Sequence, residues 1–189
     1  MMQMNALSVL LVYTLIAVAG SSVYARELPT PNKFGGDFRF QSTLGKPITI
    51  RQFQGKVVLL NFGFTSCPDV CPMVLSELAT VKKTLDNDTE NIQVIFVTVD
   101  PERDSLDKLQ QYLGNFHTSF VGMRGENLNV IRAVMKRYGA ALVSEQGGKE
   151  IDISHSDYVY IINRDGYVSG FYDIQSRYDE LVTAVRKAL

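Results

Sequence analysis

The chain of 189 residues carries 19 basic and 20 acidic side chains, for a formal net charge of −1. That balance gives no electrostatic case for a nucleic-acid partner. With 46% hydrophobic and 21% charged residues, the composition is that of an ordinary globular protein and not of a disordered polymer.

In chain order, residues 1–25 contain no Asp, Glu, Lys or Arg. Within them, ALSVLLVYTLIAVAG (6–20) is an apolar run of signal-peptide length, short of the roughly 20 residues a membrane-crossing helix needs. VYA (23–25) sets small or β-branched side chains where a signal peptidase reads, which predicts cleavage after Ala25. No Lys or Arg precedes the run, so an uncleaved N-terminal membrane anchor from about Met4 to Val23 is the alternative. No Cys follows the run to take a lipid. The expected location is the bacterial periplasm, soluble after cleavage or tethered to the inner membrane.

Residues 26–35 read as an extended linker, with Pro29 and Pro31 blocking helix. A single domain is expected over 36–189. DFRFQSTLGKPITI (37–50) predicts an N-terminal β-hairpin turning at Gly45–Lys46, and KVVLLNFGF (56–64) a buried strand. The loop that follows holds both cysteines, Cys67 and Cys71. From Pro72 the pattern turns helical, with Met73, Val74, Leu78, Val81 and Leu85 on the inward stripe.

NIQVIFVTVD (91–100) predicts a second buried strand, and SLDKLQQYLGNF (105–116) a helix with Leu106, Leu109 and Leu113 inward. SFVGMRG (119–125) is a short strand or loop, and ENLNVIRAVMKRYG (126–139) a helix stopped at Gly139. DYVYIINRDGYVSGFYD (157–173) is a hairpin turning at Asp165–Gly166, its Tyr160 and Tyr167 half exposed. The last helix follows Ser176, a candidate N-cap. Alternating strands and helices give an α/β layer fold, with the two long strands parallel through a right-handed crossover. Ligands in such sheets gather at the carboxyl ends of the strands. Cys67 and Asp100 each lie just past such an end.

The cysteine pair admits three readings: a redox dithiol, a metal clamp or a structural disulfide. A bond between residues four apart closes a tiny loop and constrains little of the unfolded chain, which counts against the last. Of the two histidines, His117 falls at the opposite side of the sheet. His155 falls in the segment before the late hairpin. If that hairpin's first strand runs antiparallel to the long ones, His155 faces the cysteine loop. Were the three to converge, with Cys67 and Cys71 on one helical face, two thiolates and an imidazole would form a soft three-coordinate site. Such a donor set suits Cu(I) or Zn(II), and zinc usually wants a fourth ligand in structural sites. An exported protein meets copper without competing cytosolic thiols, so compartment and donor set together favour copper. Asp69, Asp100 and Asp104 read as turn and cap residues, or as an acidic rim that orients the site or steers a partner.

FTSCPDVCP (64–72), VTVDPERD (97–104) and HSDYVYIINRDG (155–166), in this order, closely resemble the Sco/SenC family of copper-binding cytochrome c oxidase assembly proteins. The resemblance runs from about Phe34 onward. It implies a thioredoxin-like fold, a central mixed sheet flanked by helices. It also implies copper bound through Cys67, Cys71 and His155. The implied role is copper delivery to the CuA centre of cytochrome c oxidase subunit II, or reduction of that centre's cysteines. The expected protein is a chaperone and not a turnover enzyme, its partner that subunit or another cuproprotein, and it is expected to be a monomer, since no exposed apolar stripe stands out in the sequence. Two features depart from the family. The acidic residue usually adjacent to the histidine stands three earlier, at Asp152, and the leader looks more cleavable than a family anchor. The rival readings are a thiol–disulfide oxidoreductase and a redox or copper sensor. The first would carry a proline facing the dithiol in the loop before the late strand, but the last proline here is Pro101.

Overall fold

The computed structural model describes residues 34–147, 150–155, 157–173 and 177–189, and within 143–155 the backbone alone. The leader and most of the linker, residues 1–33, lie outside the described residues, as does Ser176. No helix among the described residues is long and apolar enough to cross a membrane.

β1 (Arg39–Ser42) and β2 (Ile48–Thr49) form the N-terminal hairpin, and Gly45 at its turn takes a φ of 74°. β3 (Val57–Gly63) is buried at every position, as its unbroken apolar run requires. α1 (Val70–Thr84) begins two residues before Pro72, which therefore sits in the first turn, where its missing N–H breaks no helical bond. β4 (Ile92–Thr98) is again fully buried and pairs in parallel with β3 from Val57↔Ile92 to Gly63↔Thr98. α2 (Leu106–Gly114) is capped by Ser105, whose hydroxyl accepts from the Lys108 N–H at 3.2 Å. β5 (Val121–Arg124) follows, then α3 (Leu128–Arg137), capped by Asn127 and closed at Gly139 with a φ of 68°.

Residues 142–147 and 150–155 supply an element the sequence pattern hides. β6 (Leu142–Gly147) and β7 (Glu150–His155) form a two-stranded antiparallel sheet of their own, running from Leu142↔His155 to Gly147↔Glu150. His155 is thus the last residue of a strand and not a loop residue. The segment carries Glu145, Gln146, Glu150 and Asp152, which dilute the alternation that marks a half-buried strand. β8 (Val159–Ile162) and β9 (Val168–Tyr172) form the late hairpin, with Gly166 at φ 88° in its turn, and α4 (Tyr178–Ala188) ends the chain.

The main sheet has seven strands in the order β2-β1-β5-β4-β3-β8-β9. β3, β4 and β5 are parallel; β8 runs antiparallel to β3, with Asn61 opposite Val159. Alternate residues of the central strands feed two cores. Val58, Leu60 and Phe62 face α3 with Ile95 and Val97. Val57, Leu59, Val94 and Phe96 face α1, α2 and α4. Two side chains depart from expectation. Met73 is 52% exposed, because the inward stripe of α1 runs through Cys71, Val74, Leu75 and Leu78. Tyr160 is fully buried, because it alternates with Val159 and Ile161 onto the α3 core, where its ring meets Phe62 and Tyr138 edge-on. Tyr167 is exposed as expected.

Candidate metal centre

β3 ends at Gly63, and the chain turns over the carboxyl edge of the sheet before α1 begins. Cys67 lies in that turn, its N–H donating to the Phe64 carbonyl at 3.2 Å. Cys71 lies in the first turn of α1. The two are therefore not on one helical face; a loop residue and a helical residue meet instead. The Cys71 N–H donates to Cys67 Sγ at 3.5 Å, so the helix start supplies a donor to the first sulfur. Both are unbridged thiols, Cys67 half-buried and Cys71 2% exposed. Burial pushes the Cys71 thiol up to about 12, and Cys67 adds to the effect, while the Phe64 backbone opposes it.

Gly63 lets the second sulfur in. A Cβ there would stand 2.7 Å from the Phe96 ring and 2.9 Å from Cys71 Sγ. Only the absent side chain makes room for ring and thiol together.

The Asp-Pro-x-x-Asp segment locks this loop from the side. Asp104 is wholly buried. One carboxylate oxygen accepts from the Thr65 N–H at 2.9 Å and the Thr98 hydroxyl at 2.7 Å. The other accepts from the Thr65 hydroxyl and from Lys108 Nζ at 3.3 Å. Thr98 Oγ1 accepts in turn from the Asp100 N–H at 3.0 Å, and the Asp100 carboxylate pairs with Arg103. Asp100 and Asp104 are 3% and 0% exposed, so they make no acidic rim for a partner; they tie the end of β4 to the cysteine loop. Only Asp69, at the N-cap of α1, is exposed. The sequence signal that could have separated these roles was Thr65 and Thr98, hydroxyl donors placed opposite an acidic residue.

His155 closes β7 three residues before Tyr158, whose carbonyl accepts from Asn61 Nδ2 at 3.2 Å. Asn61 is two residues from the end of β3. The backbone of residue 155 therefore lies within about three extended residues, roughly 10 Å of chain, of that anchor at the cysteine edge. The side chain of His155 lies outside what the structure describes. His117 sits at the other edge, beside the start of β4, stacked on Phe120 at 5.5 Å and accepting the Ser119 N–H at Nδ1. Burial lowers its pKa, and Lys82 lowers it further.

A mixed sheet sandwiched by helices, with a dithiol turn between its first long parallel strand and the following helix, defines a thioredoxin-like protein. The comparisons narrow the class. The SCO1/SenC family model matches residues 26–189, and the chain belongs to that family. A SCO2-like protein of Rickettsia prowazekii is 29% identical over 194 residues, covering 93% of this chain and 95% of the relative. The solution structure of apo Sco1 from Thermus thermophilus superposes with a TM-score of 0.75 at 34% identity, over 86% of this chain and 94% of that one. ScoI of Bradyrhizobium japonicum, solved with copper bound, superposes with a TM-score of 0.73 at 29% identity, over 82% of this chain and 99% of that one.

Proposed function

We propose that the protein is a copper chaperone that holds one copper ion through Cys67, Cys71 and His155. It would pass the ion to the CuA centre of cytochrome c oxidase subunit II, the assembly role associated with the family. The observation that carries this reading is the cysteine turn itself. Two unbridged thiols, one half-buried and one buried, meet at the carboxyl edge of the sheet on a loop braced by Asp104. Soft thiolates with an imidazole select Cu(I), and the set also serves Cu(II). Cys67, reachable from solvent, is the sulfur through which an incoming thiol would exchange ligands; Cys71 would hold the ion from beneath. The copper-bound neighbour supports the choice of metal.

The expected result of an anaerobic copper titration of the reduced full chain is one tightly held equivalent. In His155→Ala that affinity drops at least tenfold, as loss of a ligand requires. Equal weak binding in both proteins would sink the clamp.

The uneven burial of the two thiols also fits a second reading, reduction of a partner disulfide. A Cys67 thiolate would attack one partner sulfur and expel the other as a thiolate. Cys71 would then displace the first, leaving a Cys67–Cys71 disulfide and two partner thiols. His155→Ala would leave that reaction intact, and this separates it from copper delivery.

A further inference from the structure

The amino edge of the main sheet, opposite the cysteines, carries a cavity of about 570 Å³. Its walls come from elements the topology gathers there. Lys56 immediately precedes β3, Ile92 begins β4, and Lys82 and Lys83 lie in the last turn of α1. His117, in the turn between α2 and β5, lines it as well.

Lys82 is the unusual member. It is 4% exposed, and a charged side chain is seldom buried without a paired partner. Its ammonium donates to the Thr89 carbonyl at 2.7 Å and to the Ile92 carbonyl at 2.6 Å, both neutral acceptors. Its third proton is left over, and among the described residues no carboxylate pairs with Lys56, Lys82 or Lys83. Asp86 and Glu90 also line the cavity, both exposed, so three ammonium charges face two carboxylates that do not close on them. Burial lowers the Lys82 pKa; Glu90 opposes the effect and Lys56 adds to it, so these charges lie within reach of one another. His117 Nδ1 accepts from the Ser119 N–H at 3.1 Å, which leaves the neutral ring's proton on Nε2 as a further donor.

We propose that this cavity is a binding site for a phosphate group, either free phosphate or the phosphodiester of a lipid headgroup. The donors decide the class. Lysine ammoniums are point charges that can approach a tetrahedral oxyanion from several sides, whereas a planar carboxylate is matched by the arginine fork. Among the described residues no arginine lines the cavity. A bound phosphate takes the third Lys82 proton and gives the buried ammonium its missing counter-charge. The lipid source draws support from the rest of this edge. α3 and α4 also end here on basic residues, Lys136 and Arg137, then Arg186 and Lys187. The chain enters here too: Gly35 lies against Val168, which pairs with Ile162 at the end of β8. A domain tethered by its N-terminus would turn this edge to the membrane and the cysteine edge away from it.

Amide chemical shifts of the metal-free, reduced full chain test the site, with inorganic phosphate and glycerophosphoglycerol as probes. Phosphate should give saturable shifts around Lys56, Lys82, Lys83 and His117, while chloride and acetate at matched ionic strength do not. Lys56 is half-buried and Lys83 exposed, so the double variant Lys56→Gln/Lys83→Gln should keep the fold. Its phosphate affinity should drop about tenfold with the loss of two charged donors. Glu90→Gln should raise affinity about threefold by removing a like charge from the rim. Absence of saturable shifts with both probes, equal shifts with acetate, or unchanged affinity in the double variant would overturn the proposal. Glycerophosphoglycerol carries the lipid diester without acyl chains, so the apolar leader plays no part in its binding. Tighter binding of that probe than of inorganic phosphate assigns the site to a lipid headgroup; the reverse order assigns it to free phosphate. Copper is absent throughout, so the outcome is independent of the proposed metal clamp.

Discussion

Asp104 has no contact with solvent and still accepts four hydrogen bonds, three of them from Thr65 and Thr98. The cap of α2 is its neighbour Ser105, not Asp104. Asp104→Asn keeps the shape, but it removes the charge and turns an amide N–H₂ towards groups that are themselves donors. The expected cost is about 3 kcal/mol of folding stability, since unsatisfied buried donors forfeit their full desolvation energy. Denaturant unfolding measures it. The cysteine loop should loosen as well, so the variant should lose copper affinity even at temperatures where it is folded. At this scale the motif residues were legible because their chemistry is unusual: two thiols, a lone imidazole and paired acids. What was not legible was direction. Asp104 turns inward to hydroxyls and backbone, and the buried Asp100 carboxylate turns to Arg103.

The elements that make the site are β3, its turn and the start of α1. Gly63 is the last residue of β3, and its place in the strand is set by packing and not by a turn conformation. A Cβ there would collide with the Phe96 ring at 2.7 Å and with Cys71 Sγ at 2.9 Å. Gly63→Ala is therefore expected to cost about 1–3 kcal/mol through overpacking. It should also disturb the sulfur pair, seen as a changed charge-transfer spectrum in the copper form. A thermal melt that matches wild type, with the same spectrum, would show that ring and thiol can move aside. Long apolar runs made β3 and β4 readable from sequence. The β6–β7 hairpin was not readable, because its acidic and amide residues break the alternation, and only its ladder from Leu142↔His155 to Gly147↔Glu150 reveals it. Met73 escaped the expected inward stripe because it stands about 100° round the helix from Val74, while Cys71, Val74, Leu75 and Leu78 fill the buried face.

Across the whole molecule, the seven-stranded sheet separates two cores, while β6 and β7 pair with each other and not with that sheet. Amide exchange should reflect this. In the metal-free protein β6 and β7 should exchange well before β3 and β4, whose opening requires breaching both cores. If His155 is a ligand, copper should slow exchange along β7 far more than along β9. Identical exchange in the two forms would argue that the hairpin plays no part in holding the ion. The α/β layer architecture was legible from strand and helix order, because parallel strands joined through helices leave few topologies; its thioredoxin-like character was implied by the resemblance carried by residues 64–72, 97–104 and 155–166.

The position of β8 beside β3 has a consequence for timing. β3 and β8 are sequence-distant neighbours: Asn61 on one bonds to the Tyr158 carbonyl before the other, 97 residues later. During synthesis, or during passage of an unfolded chain through a narrow channel, the cysteines emerge well ahead of that strand. A nascent chain would thus present a bare dithiol, open to oxidation, before His155 could join it. Docking of β8 is a long-range contact and belongs among the later steps of folding. On the proposed reading, with His155 as a ligand, the site would then report completion: a chain that has not closed its sheet would carry the thiols without the histidine, and would bring no copper to a partner.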